Sequence, residues 1–555
     1  MSYTVDKLVL QAAFEREKKH PQKVFMTQPV EGEAIDYTWA ETMDQARRMA
    51  AQLRSLDLPH NSNIAMISKN CAHFVIAELA TWMAGHCTVA LYPTLNADTV
   101  EYILDHSESR LLFLGKLDDW DTMKEGVPDS MPIIALPLAP ENDYDKWDDI
   151  IARTEPMADN PEYPIDQRAL ICYTSGSTGR PKGVAHSFGS ISAPASLQAD
   201  VLDVNENDRI ISYLPLAHVM ERAIVEAGGI FQGVHIYFAE ELNTFVQDLH
   251  RARPTLFISV PRLWLKFQSG VFQKFPEKKL DLLLKIPVVN NIIRKKVLSG
   301  LGLGNVRIAA SGSAPLPADL IRWYDKLGLK ISEGYGMTED FAYSHMSTET
   351  ARAPGYVGEP AREVTARISD SGEIEIHSPG LMLGYYKAPD LTAEVMTADG
   401  FFKTGDRGVY ENGLLRITGR VKELFKTSKG KYVAPVPVEN LLSAEGVVEQ
   451  CCVAGSGRPA CYASLQLAEE VRHAFDDPEF RKKTTAQLEA LMQSVNAQVE
   501  GYEQLAFLVV VRDVWGIENN FLTPTMKIKR DVIEAAYEPM LDEWYARGQT
   551  VIWQD

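Results

Sequence analysis

The chain has 555 residues, too many for one ordinary domain, so two or more domains with sizeable cores are expected. Its 45% hydrophobic and 24% charged residues are those of a soluble globular protein. Lys plus Arg number 56 against 75 Asp plus Glu, a formal charge of −19, which excludes a nucleic-acid partner by repulsion and confines any anionic ligand to a local basic patch.

Six cysteines, none at metal-ligand spacing, read as reduced thiols of a cytoplasmic protein, with Cys451, Cys452 and Cys461 in buried strands. Residues 1–22 mix acids and bases without a long apolar core, so no signal peptide is expected. A helix is expected from Thr42 to Leu53. From Asn63 to Leu114, strands such as Ile64–Ile67 alternate with helices, the pattern of a parallel sheet covered on both faces. The stretch Cys71–Tyr92 approaches the length of a membrane span, but His73, Glu78, Gly85 and His86 interrupt it. It reads as a core helix running into a buried strand. Residues 115–165, rich in Asp, Pro and Glu, read as surface loops.

The apolar run Ala169–Cys172 then delivers the loop Tyr173-Thr174-Ser175-Gly176-Ser177-Thr178-Gly179-Arg180-Pro181-Lys182-Gly183. All six residues from Thr174 to Gly179 are hydroxylated or glycine, a composition suited to phosphate. Glycine lets backbone N–H groups turn toward an anion at close range, hydroxyls add donors without bulk, and Arg180 and Lys182 add charge. The spacing is not that of a Walker A loop. A solvated Ser/Gly linker is the other reading of such a composition. The segment resembles the phosphate-loop signature of the adenylate-forming enzymes, the superfamily of acyl-CoA synthetases, luciferases and peptide-synthetase adenylation domains. Leu91-Tyr92-Pro93-Thr94-Leu95 resembles a segment of its long-chain acyl-CoA synthetase branch.

Further motifs follow in the family's order. Tyr213-Leu214-Pro215-Leu216-Ala217-His218 resembles the motif lining the carboxylate pocket, which implies that His218 faces the reacting carboxyl; a His packed at a helix cap is the alternative. In Pro261-Arg262-Leu263-Trp264, Trp264 falls where long-chain enzymes place a gate to the fatty-acid tunnel, and an ordinary core Trp fits almost as well. From Arg262 to Lys296, nine basic residues stand against two acids. That run is either a solvated helical face or a patch resting on anionic membrane lipid. Gly312, Ser313 and Ala314, after the strand Val306–Ser311, are small enough for a purine to approach.

In Tyr335-Gly336-Met337-Thr338-Glu339 the resemblance implies Tyr335 stacking on adenine, Thr338 bonding the α-phosphate and Glu339 holding Mg²⁺. An aromatic face, a hydroxyl and a hard carboxylate suit those tasks. Asp406 matches the family's ribose-binding acid, with a turn-forming Asp as the alternative, and Arg420 also reaches the nucleotide. Lys422 matches a hinge, and the lysine-rich loop around Gly430 either admits CoA or solvates an exposed hairpin. Near the end, Leu522-Thr523-Pro524-Thr525-Met526-Lys527 places Lys527 at the family's catalytic lysine, with Lys529 as the other register. The family usually has Gly where this chain has Met526.

The resemblance therefore implies an α/β fold: a large N-terminal adenylation domain of layered sheets and helices over residues 1–419, a hinge at 420–422, and a small mobile α+β lid domain over 423–555. It implies an ATP- and Mg²⁺-dependent acyl-CoA synthetase for a medium- to long-chain fatty acid, with CoA as co-substrate. Its location would be cytoplasmic or peripheral to the inner face of a membrane. Activation of another carboxylic acid, transfer to a carrier protein, and a non-catalytic nucleotide-binding regulator are the alternatives.

Overall fold

Strands Asn63–Ile67, Cys87–Leu91 and Leu111–Leu114 are buried at every residue and lie parallel, as continuous apolar runs between helices do. A computed structural model describes residues 5–174, 180–443, 445–523 and 526–555. The three strands belong to an eight-stranded sheet that continues through Arg168–Thr174 and the antiparallel Lys182–Ser187. A nine-stranded sheet holds a parallel set in the order His235–Phe238, Arg209–Ser212, Leu256–Ser259, Ile308–Ser311, Ile331–Tyr335. One core joins Ile64, Val89 and Ile171 of the first sheet to Phe25, Ile210 and Ile236 of the second. The mostly apolar helix Ala72–Met83 in that core is buried at every residue, its Glu78 paired with buried Arg222. The layered α/β architecture follows from these patterns.

The stretch Cys71–Tyr92 forms that helix and the strand Cys87–Leu91, and no helix of the described residues is long and apolar enough to cross a membrane. Residues 115–165 depart from expectation. Ile133–Ala135 and Asp145–Lys146 extend the first sheet in parallel, and helix Trp147–Arg153 buries Trp147 completely. Strands of two or three residues leave no periodicity to read beneath an acidic, proline-rich composition.

A small antiparallel sheet, Thr365–Ile368, Glu373–His377, Phe402–Glu411 and Leu414–Arg420, carries Asp406 and Arg420 on paired strands. Beyond it, Val448–Ala454, Cys461–Leu467, Leu505–Val510 and Val551–Trp553 form a fourth sheet with a core on each face. Cys451 and Val453 enter one core while Cys452 and Ala454 enter the other, the period of two that a strand imposes. All six cysteines are buried and unbridged.

Because the strands Arg209–Ser212, Leu256–Ser259, Ile308–Ser311 and Ile331–Tyr335 run parallel, their C-terminal ends share one edge. The segments leaving that edge carry His218, Gly312–Ala314 and Thr338–Glu339, the place where open α/β sheets hold ligands.

Candidate functional site

A cavity of about 2330 Å³ opens at that edge. It is lined by Thr174, Lys182, His218, Gly312, Ser313, Ala314, Tyr335, Thr338, Glu339, Asp406, Arg420, Lys422 and Lys527. Residues 174, 182 and 218 to 422 come from the three N-terminal sheets and their loops, whereas Lys527 comes from the far end of the chain.

Thr174 and Lys182 face each other as the last and first residues of an antiparallel pair. The expected phosphate loop between them, Ser175, Gly176, Ser177, Thr178 and Gly179, lies outside the described residues. Lys182 Nζ stands 5.3 Å from the centre of the Tyr385 ring. At Gly312 a Cβ would come 3.3 Å from Met220 Sδ, so the wall is tight as well as small.

The turn Thr338–Asp340 is pinned from four directions. His186 Nε2 lies 2.7 Å from the Thr338 carbonyl, and Met382 N–H donates to the Glu339 carbonyl at 2.8 Å. Asp340 accepts the N–H groups of Met337 and Tyr343, and burial pushes its carboxyl up to about 7. Tyr385 Oη donates to Glu339 Oε1 at 2.8 Å. Only Oε1 is engaged among the described residues, which leaves Oε2 for a cation. No group of three or more His, Cys, Asp or Glu that could hold a metal occurs among the described residues. A single carboxylate fits Mg²⁺, which takes the rest of its octahedron from water and substrate phosphates.

Asp406 holds both oxygens in place: Tyr335 Oη donates to Oδ2 at 2.8 Å and Arg420 Nε to Oδ1 at 2.9 Å. An aromatic ring, a carboxylate and a guanidinium thus form one unit on the cavity wall. His218 accepts the Met220 N–H at Nδ1 (3.2 Å), and burial, with the Lys527 charge second, pushes its pKa down to about 4. The ring is neutral at physiological pH.

Lys527 is fixed by its backbone, donating N–H to Thr523 Oγ1 at 3.1 Å and accepting Thr523 N–H at 2.8 Å. Water in the cleft reaches its side chain, yet the protein around it is dense enough that desolvation, then the Arg420 charge, lowers its pKa. Asp406, Glu339 and Glu423 pull the other way. Met526, before it, has φ of 61°. That is the left-handed region, costing a residue with a Cβ about 1 kcal/mol, and it explains why glycine suits the position. The Lys529 ammonium is held by Asn520.

Two expected positions stand apart. Trp264 is a correction: it is fully buried against Phe257, Phe267 and Tyr324, and does not line the cavity. Its place in the helix Pro261–Lys274 turns it into the core while Arg262, Leu263, Leu265 and Lys266 reach the cavity. Gly430 lies in the exposed turn between Phe425–Lys426 and Tyr432–Val433, with φ of 79°, off the cavity wall. The cavity lining also includes the apolar side chains of Leu202, Val204, Ile210, Ile224, Val234 and Leu256.

His186, Tyr385, Arg530 and Glu439 were not singled out by sequence. Arg530 joins Glu439 through two hydrogen bonds of 2.7 and 3.0 Å and lies 3.7 Å from Glu423, beside Lys422. These partners are separated by 91 and 107 residues, and no local pattern announces them. Arg262 and Glu449 form a further ion pair between the cavity-side helix and the fourth sheet.

A family model described as AMP-binding enzyme matches residues 13–386, and one described as AMP-binding enzyme C-terminal domain matches 423–549. The long-chain-fatty-acid--CoA ligase FadD15 of Mycobacterium bovis is 30% identical, with 96% of each chain covered. The peroxisomal long chain acyl-CoA synthetase 6 of Arabidopsis thaliana is 28% identical over 95% of this chain and 83% of its own. Among solved structures, the A domain of the carboxylic acid reductase of Segniliparus rugosus, in complex with AMP and a co-purified carboxylic acid, superposes with a TM-score of 0.80. It is 21% identical and covers 98% of this chain and 95% of its own, so the likeness concerns the fold.

Proposed function

The chain belongs to the AMP-binding enzyme family, and from that premise we propose that it is an ATP-dependent acyl-CoA synthetase acting on a medium- to long-chain fatty acid. The observation that carries this reading is the single cavity in which Lys527 joins Thr338, Glu339, Asp406, Arg420 and His218, with apolar side chains such as Ile210, Ile224 and Leu256 in the same lining.

A carboxylate is a poor electrophile because its leaving group would be oxide. A carboxylate oxygen of the acid attacks the α-phosphorus of ATP, and pyrophosphate departs with the electrons of the broken P–O bond. The CoA sulfur, having lost its proton, then attacks the acyl carbon, and AMP leaves. Tyr335 stacks on the adenine, while Asp406 and Arg420 take the ribose. The Thr338 hydroxyl donates to the α-phosphate, and Lys527 spans carboxylate and phosphate as charge builds between them. Lys182, with Ser175–Thr178, receives the outer phosphates. Glu339 would hold Mg²⁺, which supplies charge neutralisation at the phosphates. Neutral His218 lines the acid's side and adds no charge to compete with Lys527.

With Lys527 in the cavity and Gly430 outside it, the arrangement suits adenylation. Thioester formation then requires a second arrangement, reached by rotation of the lid domain about Lys422, that turns the 427–431 loop inward for CoA. The adjacent Arg530–Glu439–Glu423 cluster would move with the lid.

ATP–pyrophosphate exchange across a panel of acids, followed by CoA consumption, tests the reading. Exchange with fatty acids and CoA-dependent AMP release are expected. Exchange confined to short or aromatic acids, or transfer only to a carrier protein, would reassign the substrate, and absence of exchange with every acid would remove the enzyme reading.

A further inference from the structure

Helices Glu277–Leu284 and Val289–Gly300, joined by a four-residue turn, carry an unusual surface. Leu282, Ile286, Val288 and Ile292 are 63%, 41%, 74% and 62% exposed. Four of the sixteen exposed large hydrophobic residues described thus fall within eleven consecutive positions. Scattered single residues of this kind need no explanation, but a contiguous set does.

Backbone strain holds one of them out. Val288 has φ of 70°, an outlier for a β-branched residue, and the bond from Val289 N–H to the Pro287 carbonyl (2.8 Å) closes the tight turn around it. Around the tip, Lys278, Lys279, Lys285 and Lys295 are exposed and have no acid at ion-pair distance among the described residues. Asp281 is taken up by Lys326 at 2.9 Å. Lys278 and Leu282, four residues apart, share one stripe of the first helix, Ile286 and Val288 project from the turn, and Ile292 lies in the first turn of the second helix. The stretch is net basic in a chain whose charge is −19.

We propose that this hairpin is an interfacial docking element that seats on an anionic phospholipid bilayer. Its four apolar side chains enter the headgroup region and its lysines meet lipid phosphates, the two demands that such an interface satisfies together. A second copy of the chain is the poorer occupant, because a two-fold contact would set these lysines against themselves. The patch is also continuous with the cavity rim. Lys296 and Gly300 of the same helix line the cavity, as do Lys266, Ser269 and Gln273 of helix Pro261–Lys274. A docked hairpin therefore holds the cavity mouth beside the lipid, and this consequence rests on the acyl-substrate reading above.

Sedimentation of the full chain with vesicles tests the docking without requiring turnover. Partition onto phosphatidylglycerol-containing vesicles is expected, weakening with salt, with little onto pure phosphatidylcholine. Val288→Asp with Ile292→Asp, and separately Lys278→Gln, Lys279→Gln, Lys285→Gln and Lys295→Gln together, should each reduce partition at least about tenfold. All these sites are exposed and off the cavity wall, so thermal unfolding and pyrophosphate exchange with a water-soluble acid should match wild type. The proposal fails if wild type stays in solution, binds both vesicle types equally, or binds as well after either set of substitutions. It fails equally if sedimentation equilibrium without lipid reveals a dimer that Val288→Asp with Ile292→Asp dissolves. Failure of pyrophosphate exchange in wild type would bear on the enzymatic reading and leave this result intact.

Discussion

His186 Nε2 lies 2.7 Å from the backbone carbonyl oxygen of Thr338, tying the strand that begins at Lys182 to the turn that carries Glu339. The imidazole is fully buried, and burial pushes its pKa down to about 4, so it is neutral. With Nε2–H donating to Thr338, Nδ1 is left to accept from Ser190 Oγ at 3.1 Å. One neutral ring thus fixes the distance between two segments that line the same cavity.

His186→Leu would remove the side-chain donor from the Thr338 carbonyl and leave it only the Phe341 N–H at 3.2 Å, at a cost of about 1 kcal/mol. The expected outcome is a lower melting temperature together with a several-fold rise in KM for ATP and a fall in kcat. His186→Gln keeps a donor and should recover part of the kinetic loss. Wild-type ATP kinetics in the Leu variant would show that the bond serves stability alone.

Lys527→Ala should lower the adenylation rate by roughly 10²–10³, the size of loss seen when a preorganised charge donor is removed, about 3–4 kcal/mol. Thioester formation from preformed acyl-adenylate should fall much less. Lys529→Ala is expected to change either step only slightly, since its ammonium is held by Asn520. Equal losses in both half-reactions of the Lys527 variant would rule out the assigned role.

Lys422 sits exposed in the short turn Val421–Glu423, on the cavity wall. Lys422→Pro restricts φ at that position and should leave pyrophosphate exchange near the wild-type rate while lowering overall CoA ligation at least tenfold. An overall rate equal to wild type would mean that the second step needs no rotation there.

Much of the cavity wall was legible because its parts are short polar segments leaving apolar strands, and each such exit carries its residues in a row. Gly312–Ala314 and Thr338–Glu339 follow the ends of adjacent parallel strands, so a linear motif becomes a local surface. Contacts between exits were not legible. His186 meets Thr338 across 152 residues, and Tyr385 meets Glu339 across 46. Trp264 failed for a different reason. A helical segment exposes and buries residues by rotation, and without the sheet behind it nothing indicated that this ring faces Phe257 rather than the cavity. The strain at Met526 was visible only as a departure from glycine, and the φ of 61° supplies its meaning.

Buried titratable groups predict a peaked dependence of stability on pH. Burial holds His73, His86, His186, His218 and His235 down at about 4 and His345 at about 3. The unfolded chain binds protons at these sites below about 6.5, where the folded one resists them. Their contribution is therefore complete above 6.5 and is lost as pH falls toward 4. Burial raises Glu221 to about 8 and Glu333 and Asp340 to about 7. These sites keep their protons in the folded state after the unfolded chain has released them, so their contribution falls as pH rises toward 8. The histidines outnumber the acids, which sets the highest melting temperature near pH ~6.5. Glu221→Gln isolates one limb. Its Oε1 accepts from Ser212 Oγ, Tyr213 N and Asn70 Nδ2, and a glutamine carbonyl can keep those bonds without a charge. The variant should gain stability above pH 8 by at most about 5 kcal/mol relative to wild type and little below pH 5. Calorimetry across that range checks both limbs, and a Glu221→Gln gain that did not grow with pH would contradict a buried neutral acid at this position.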